Sequence, residues 1–128
     1  MPAKPIQMIL ARQLASSVAI PILLIDAEGA LIFYNEPAEV VLNMRFDETG
    51  EITADELLEV IAVEDENRRP IRSEERPTRI ARREHRPVTK RVWIRSGGGE
   101  WKHVQATAVP LVGEHETLLG VMHFFWEI

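Results

Sequence analysis

The last third of the chain restricts the fold more than any other part. Three segments rich in branched and aromatic residues, 88–95, 101–112 and 117–127, are separated by the short stretches Ser96-Gly97-Gly98-Gly99 and Gly113-Glu114-His115-Glu116. Strand-forming segments joined by tight glycine turns predict an antiparallel meander. The chain is therefore expected to contain a sheet with these three strands as consecutive neighbours.

The first two thirds predict helices and strands in alternation. Ile6, Leu10, Leu14 and Val18 stand four residues apart, which places an apolar stripe along a helix over 6–18. Two apolar runs follow at 22–25 and 31–34, and they predict a hairpin that turns at Gly29, with its first strand buried on both faces. Capping residues then predict three short helices, beginning at Asn35, at Thr53 or Asp55, and at Ser73.

The second and third of these short helices carry further expectations. The apolar residues of the second extend to Ile61 and Val63, so the helix is expected to reach that far. The third is expected to run to about Glu84, and its apolar residues are Ile80 and Ala81 among several arginines. This composition predicts a helix on the surface.

Length and composition limit the class of protein. A chain of 128 residues fits one domain, and 45% apolar with 27% charged residues is typical of a folded protein. The absence of cysteine excludes disulfides, thiolate metal sites, cysteine nucleophiles and cysteinyl-flavin photochemistry. The N-terminal segment has no apolar run long enough for export or for spanning a membrane, so a cytoplasmic location without a membrane partner is expected.

Charge is divided unevenly along the sequence. Residues 26–66 contain thirteen acids and one base, whereas residues 68–95 contain eleven bases and three acids. The two halves are interpreted as solvated faces that attract each other across the fold. The alternative is that the basic 68–95 segment binds an anion, a nucleic acid or a complementary protein. Stacking on single-stranded nucleic acid is not favoured, because few aromatic residues lie among these bases.

Short motifs in this order resemble the PAS superfamily over about residues 12–128. The matching pieces are Pro21–Asp26 with Gly29, Phe33–Glu39, Asp65–Pro70, Glu74–Pro77 with Ala81, Gly98–Trp101, Val109–Leu111 and Gly120–Ile128. Three positions depart from the family pattern: Gly98 replaces an aspartate, Asn43 a helix-ending glycine and Glu127 a terminal aspartate. The first two can serve in turns, while the third puts in doubt the coupling that the family aspartate provides.

The resemblance implies an α+β, PAS-like (profilin-like) fold. It implies a five-stranded antiparallel sheet, helices on one face that enclose a small pocket, and an N-terminal cap helix on the other face. Residues 1–19 would form the amphipathic cap and dimerisation helix, and residues 20–128 the PAS domain.

The same resemblance implies a bacterial sensory and signal-transduction domain. Such a domain binds a small ligand or partner and relays the signal through a homodimer to an output domain or partner, such as a kinase, a cyclase or a transcription regulator. A pure dimerisation module without a ligand is the alternative, beside anion or nucleic-acid binding by residues 68–95. No enzyme is expected, because the sequence has neither a nucleophile–base pattern nor convergent acids.

The cofactor stays unknown from the sequence. Haem would need an axial histidine, and His85 is near the position used by haem-binding relatives, but it stands between Glu84 and Arg86, where a solvated loop is more natural. Haem is therefore not favoured, while a non-covalent flavin stays open. His103 and His123 have no third ligand that would indicate a metal site.

Two groups of residues are candidates for function. Ligand-binding candidates, in the pocket or on a face of the sheet, are Trp93, His103, Met122 and His123. Signal-relay and dimer candidates are Ile6, Leu10, Leu14, Trp126, Glu127 and Ile128. The last strand is apolar on both sides, with Leu119, Val121 and Phe125 expected on one of them, so it should be covered twice.

Overall fold

The computed structural model describes residues 5–128, so the first four residues of the predicted segment 1–19 lie outside the described residues. The helices are α1 (Ile6–Ser17), α2 (Glu36–Leu42), α3 (Phe46–Thr49), α4 (Ala54–Val60) and α5 (Pro77–Glu84). The strands are β1 (Ile22–Asp26), β2 (Leu31–Tyr34), β3 (Ile61–Glu64), β4 (Val88–Ser96), β5 (Lys102–Val112) and β6 (Leu118–Glu127). None of the helices within residues 5–128 is both long and apolar enough to cross a membrane.

The strands form one antiparallel sheet in the order β2-β1-β6-β5-β4-β3. The meander β4-β5-β6 and the hairpin β1-β2 both follow the sequence prediction. The turn at Gly29 has a φ of 92°, a conformation that glycine adopts without steric cost. The expected α+β fold is confirmed, but the expected number of five strands is wrong, because the sheet has six.

The additional strand is β3, in a region where a helix was expected. Thr53 and Glu56 form a reciprocal capping box that starts α4, but the helix stops at Val60. Ile61 and Val63 then extend along the edge of the sheet, where β3 pairs with β4. A short apolar run fits a helix or a strand equally well, and here the open edge of β4 decides for the strand.

Helix α5 also differs from its prediction. Ser73 does not cap it, because Ser73–Glu75 is a separate 3-10 turn and Arg76 is the N-cap residue, without a side-chain cap bond. The helix packs on the sheet and buries Pro77, Ile80 and Ala81. A surface position was predicted because the apolar residues are few, but Ala81 is small enough to let the helix approach the strands closely.

Apolar residues cover both faces of the sheet. The larger core lies between one face and α2 to α5, and its fully buried side chains include Tyr34, Phe125, Leu31, Leu42, Val104 and Val121. On the other face, Met8 and Ala11 of α1 pack against Leu24 and Ile32. The cap helix implied by the resemblance therefore lies where expected, and β1 is buried on both faces as predicted.

Strand β6 contributes to both layers, with one departure from the predicted alternation. Val121 and Phe125 lie in the larger core as expected. Leu119 packs instead with the α1 layer, because the register between β5 and β6 shifts at Leu111 and Val112. A one-residue shift moves a side chain to the opposite face.

Asn35 begins α2 as predicted, and its side chain does more than cap the helix. Its Oδ1 accepts hydrogen bonds from the backbone N–H groups of Ala38 (3.1 Å) and Ile22 (2.9 Å). Its Nδ2 donates to the carbonyl oxygens of Ala15 (2.9 Å) and Ile20 (2.8 Å). The buried amide therefore joins the C-terminal end of α1, the start of β1 and the start of α2.

We expect Asn35→Asp to lower the free energy of unfolding by about 3 kcal/mol or more, because two buried donors are lost and a carboxylate oxygen then faces two carbonyl oxygens. Urea unfolding followed by circular dichroism measures the change. The control is Asn67→Asp, the same substitution at an exposed turn position, where a change within about 0.5 kcal/mol is expected. Equal effects at the two positions would contradict the role given to Asn35.

Candidate functional site

A cavity of about 60 Å³ lies between the sheet and the helices α4 and α5. Its lining is largely apolar and comes from Leu23, Ile25, Leu42, Leu57, Ile61, Val63, Arg76, Pro77, Thr78, Val92, Ile94, Val104, Ala106, His123 and Phe125. In the sheet, β3 to β6 and β1 supply the floor. This is the position in which the PAS resemblance implied a pocket.

His123 is the polar side chain on the floor of the cavity. Part of the residue is accessible, but each ring nitrogen exposes less than 1 Å² and has no hydrogen-bond partner among residues 5–128. Burial lowers the pKa of His123 to about 4. The imidazole is therefore neutral at pH 7 and offers one N–H donor and one acceptor nitrogen.

Arg76 is the charged side chain of the cavity wall. Its Nη2 donates to the carbonyl oxygen of Ile61 (3.0 Å), which ties the guanidinium to the start of β3. Its Nε exposes less than 1 Å² and has no partner within the described part of the chain. Burial lowers the pKa of the Arg76 guanidinium, since a low-polarity environment disfavours the charged form. A buried cation and a buried neutral imidazole thus share one apolar cavity.

The other predicted ligand candidates lie on the opposite face of the sheet. Trp93 and His103 face each other across β4 and β5, with their rings stacked at 4.5 Å. Met122 packs in the α1 layer. The structure therefore places His123 in the cavity and leaves Trp93, His103 and Met122 outside it.

Trp93 and His103 belong to a surface cluster whose members satisfy one another. The guanidinium of Arg68 lies 4.2 Å from the ring centroid of Trp93 and 5.3 Å from that of Trp101. Nε2 of His103 bonds to the carboxylate of Glu66. These contacts account for the polar atoms of the cluster without a ligand.

The relay and dimer candidates are largely exposed. In α1, Ile6, Leu10 and Leu14 expose 66%, 55% and 55% of their surface. At the other end of the chain Trp126 and Ile128 expose 40% and 57%, and Glu127 is exposed as well. The ring of Trp126 stacks on Phe124 at 6.3 Å.

His85, the residue considered for haem, is exposed at the end of α5, where it adopts a φ of 53°. It does not line the cavity. Within residues 5–128, no group of three or more His, Asp or Glu side chains is arranged to hold a metal ion.

Arg76 was not singled out from the sequence. It stands in a run of arginines that predicts a solvated face, and no local pattern separates it from its neighbours. The available signal was its position directly before Pro77, since the residue before a helix-starting proline is held in an extended conformation at the helix entrance.

Solved structures resemble this chain, although no family model and no curated protein matches its sequence. The PAS domain of BvgS from Bordetella pertussis gives a TM-score of 0.64 at 16% identity, covering 95% of this chain and 85% of that chain. A PAS domain from Colwellia psychrerythraea gives 0.65 at 14% identity, covering 97% and 98%. The chain has the PAS fold. The LOV protein of Rhodobacter sphaeroides also matches, with a TM-score of 0.72 at 12% identity, covering 97% of this chain and 68% of that chain.

The low pKa of His123 predicts a pH-dependent stability for this PAS fold. Between pH 6.5 and about 4 the unfolded chain binds a proton at His123 that the folded chain does not, so the free energy of unfolding falls as the pH falls. The expected loss is about 3 kcal/mol at pH 4. His123→Phe should remove this contribution, which urea unfolding at a series of pH values measures.

His115→Asn, which replaces an exposed histidine, is the control for that series. The difference between parent and His123→Phe should shrink toward pH 4, while the difference between parent and His115→Asn should change little. A constant difference for His123→Phe would show that His123 does not titrate as a buried group.

Proposed function

We propose that this chain is a sensory PAS domain that binds a small ligand in the cavity and relays occupancy through a homodimer to an output domain or partner. The observation that carries the proposal is the position of two consecutive residues of β6. His123 lines the cavity, and Met122 packs in the α1 layer on the other face. One strand therefore contacts both the ligand side and the side where we place the dimer.

The proposed dimer uses the exposed side of α1. Met8, Ala11 and Ala15 face the sheet, while Leu10 and Leu14 point away from it. Arg12 is the single charged residue of Ile6–Ser17, so two copies of the helix can meet with little charge repulsion. A second copy of the same apolar stripe is the matching partner, because a two-fold interface pairs a surface with itself.

A dimerisation module without a ligand is the second candidate. The small volume of the cavity, about 60 Å³, favours it over sensing of a large metabolite. The two candidates differ in whether the cavity affects association.

We expect the double variant Leu10→Glu/Leu14→Glu to convert the dimer to a monomer, because charges replace the apolar contact. Sedimentation equilibrium measures the mass. Val40→Glu is the control, since Val40 on α2 is an equally apolar helix position with 73% exposure. Trp126→Ala should weaken the dimer without unfolding the domain. A monomeric parent protein, or a double variant of unchanged mass, would contradict the proposed interface.

Coupling between the cavity and the dimer predicts a second result. His123→Phe enlarges a side chain next to Met122, so we expect the dimer dissociation constant to change by about fivefold or more, the lower end of typical coupling between sites. His103→Phe is the matched control on the opposite face. If the two substitutions leave association equally unaffected, the cavity is not coupled and the ligand-free module is the better description.

A further inference from the structure

The polar atoms of the cavity indicate the chemistry of its ligand, an inference that rests on the proposed sensory function. Nε of Arg76 and both ring nitrogens of His123 are buried and have no partner among the described residues. Buried polar groups in proteins are nearly always hydrogen-bonded, so such atoms point to a bound molecule that completes them. Three unpaired atoms in one small cavity are the strongest such signal in the part of the chain that the structure describes.

Arg76 sets the charge of that molecule. Its guanidinium is positioned by the bond to the Ile61 carbonyl, and no carboxylate within residues 5–128 forms an ion pair with it. A buried guanidinium without a carboxylate is costly, and an anion that enters the cavity offsets the cost. Arginine is also the side chain best suited to a planar carboxylate.

The surroundings of Arg76 reinforce the positive charge. A second, smaller depression adjoins the cavity, shares Arg76 and Thr78 with it, and is also lined by Arg79 and Arg82. Asp26 and Glu28 lie near Arg82 and oppose part of this charge there. Arg76 has no such neighbour, so the field at the cavity favours an anion.

The size and the remaining lining restrict the rest of the ligand. A cavity of about 60 Å³ holds a molecule of about four to six non-hydrogen atoms, since a single water needs roughly 10–15 Å³ by the same measure. The walls around the two polar side chains are aliphatic or aromatic. One arginine and one neutral histidine match a single negative charge better than the double charge of a phosphate ester.

We propose that the cavity binds a short-chain monocarboxylate, with Arg76 donating to its carboxylate and His123 making the second polar contact. The apolar body of the ligand packs against β4, β5 and α5. Occupancy satisfies the buried atoms of two elements at once, the entrance of α5 and the middle of β6.

Titration of the intact chain with butyrate and with butyramide tests the proposal. The two probes have the same shape and differ in charge, and amide chemical shifts in the ¹H–¹⁵N spectrum report where each binds. We expect butyrate to shift resonances of cavity residues such as Val92, Val104 and Phe125, with an affinity about tenfold or more above that of butyramide.

Variants assign the role of Arg76. Arg76→Gln should weaken butyrate binding by about tenfold or more and leave butyramide binding unchanged, since a charge-assisted bond becomes a neutral one. Arg79→Gln, which removes a charge from the same helix, is the control and should have a much smaller effect. Arg76→Lys keeps the charge and loses the planar fork, so it should bind butyrate with intermediate affinity.

The outcomes separate this proposal from the sensory function. If butyramide binds the parent as tightly as butyrate, or if Arg76→Gln and Arg79→Gln weaken butyrate equally, the carboxylate proposal is overturned while a ligand-binding cavity stands. If neither probe shifts the cavity resonances, the carboxylate proposal is also overturned, and the coupling of His123 to the dimer decides the sensory function separately. The comparison of the two probes needs no variant, so a misfolded Arg76→Gln protein does not prevent the test.

Discussion

The side-chain amide of Asn35 is the interaction on which the arrangement of this domain depends. A buried amide is stable only when its donors and acceptors are paired, and Asn35 pairs all of them with the backbone of three elements. It fixes where α1 ends, where β1 starts and where α2 begins. The position of α1 determines how the outer face of the sheet is covered, and α2 carries Leu42 into the wall of the cavity. The two faces of the domain are thus set relative to each other by one residue.

A sheet covered on both faces imposes a second constraint, on β6. A Cβ atom at Gly120 would lie 2.4 Å from the carbonyl oxygen of Ile25 and 2.7 Å from Cε of Met8. Glycine is therefore required where β1, β6 and α1 meet, and its absence of a side chain lets the helix approach the strand closely. Beyond this point, alternate residues of β6 pack into two different layers. A displacement on the cavity side reaches the α1 side through neighbouring residues of one strand, without a long chain of intermediates.

The sequence was informative where structure is local and uninformative where it depends on pairing. Glycine turns and branched segments predicted the meander almost to the residue, and capping chemistry predicted Asn35 and Thr53. Strand β3 was missed because its conformation comes from the free edge of β4, which no local pattern reveals. His103 and His123 are similar in sequence context, yet strand parity and register place them on opposite faces. Arg76 became visible only when burial separated it from the solvated arginines around it.

The unpaired atoms of the cavity also limit how a signal could arise. A molecule that fits about 60 Å³ is too small to push the helices far apart, and a ligand shifts a conformational equilibrium only by its difference in affinity for the two states. In this cavity that difference comes from hydrogen bonding and charge: Arg76 at the entrance of α5 and His123 in the middle of β6 are both unsatisfied without a partner. A ligand that bridges them would favour the state in which α5 and β6 are held together. Because β6 also contacts α1, the same state would favour one position of the cap helix over another, so chemical complementarity in the cavity, more than its expansion, would control the α1 surface.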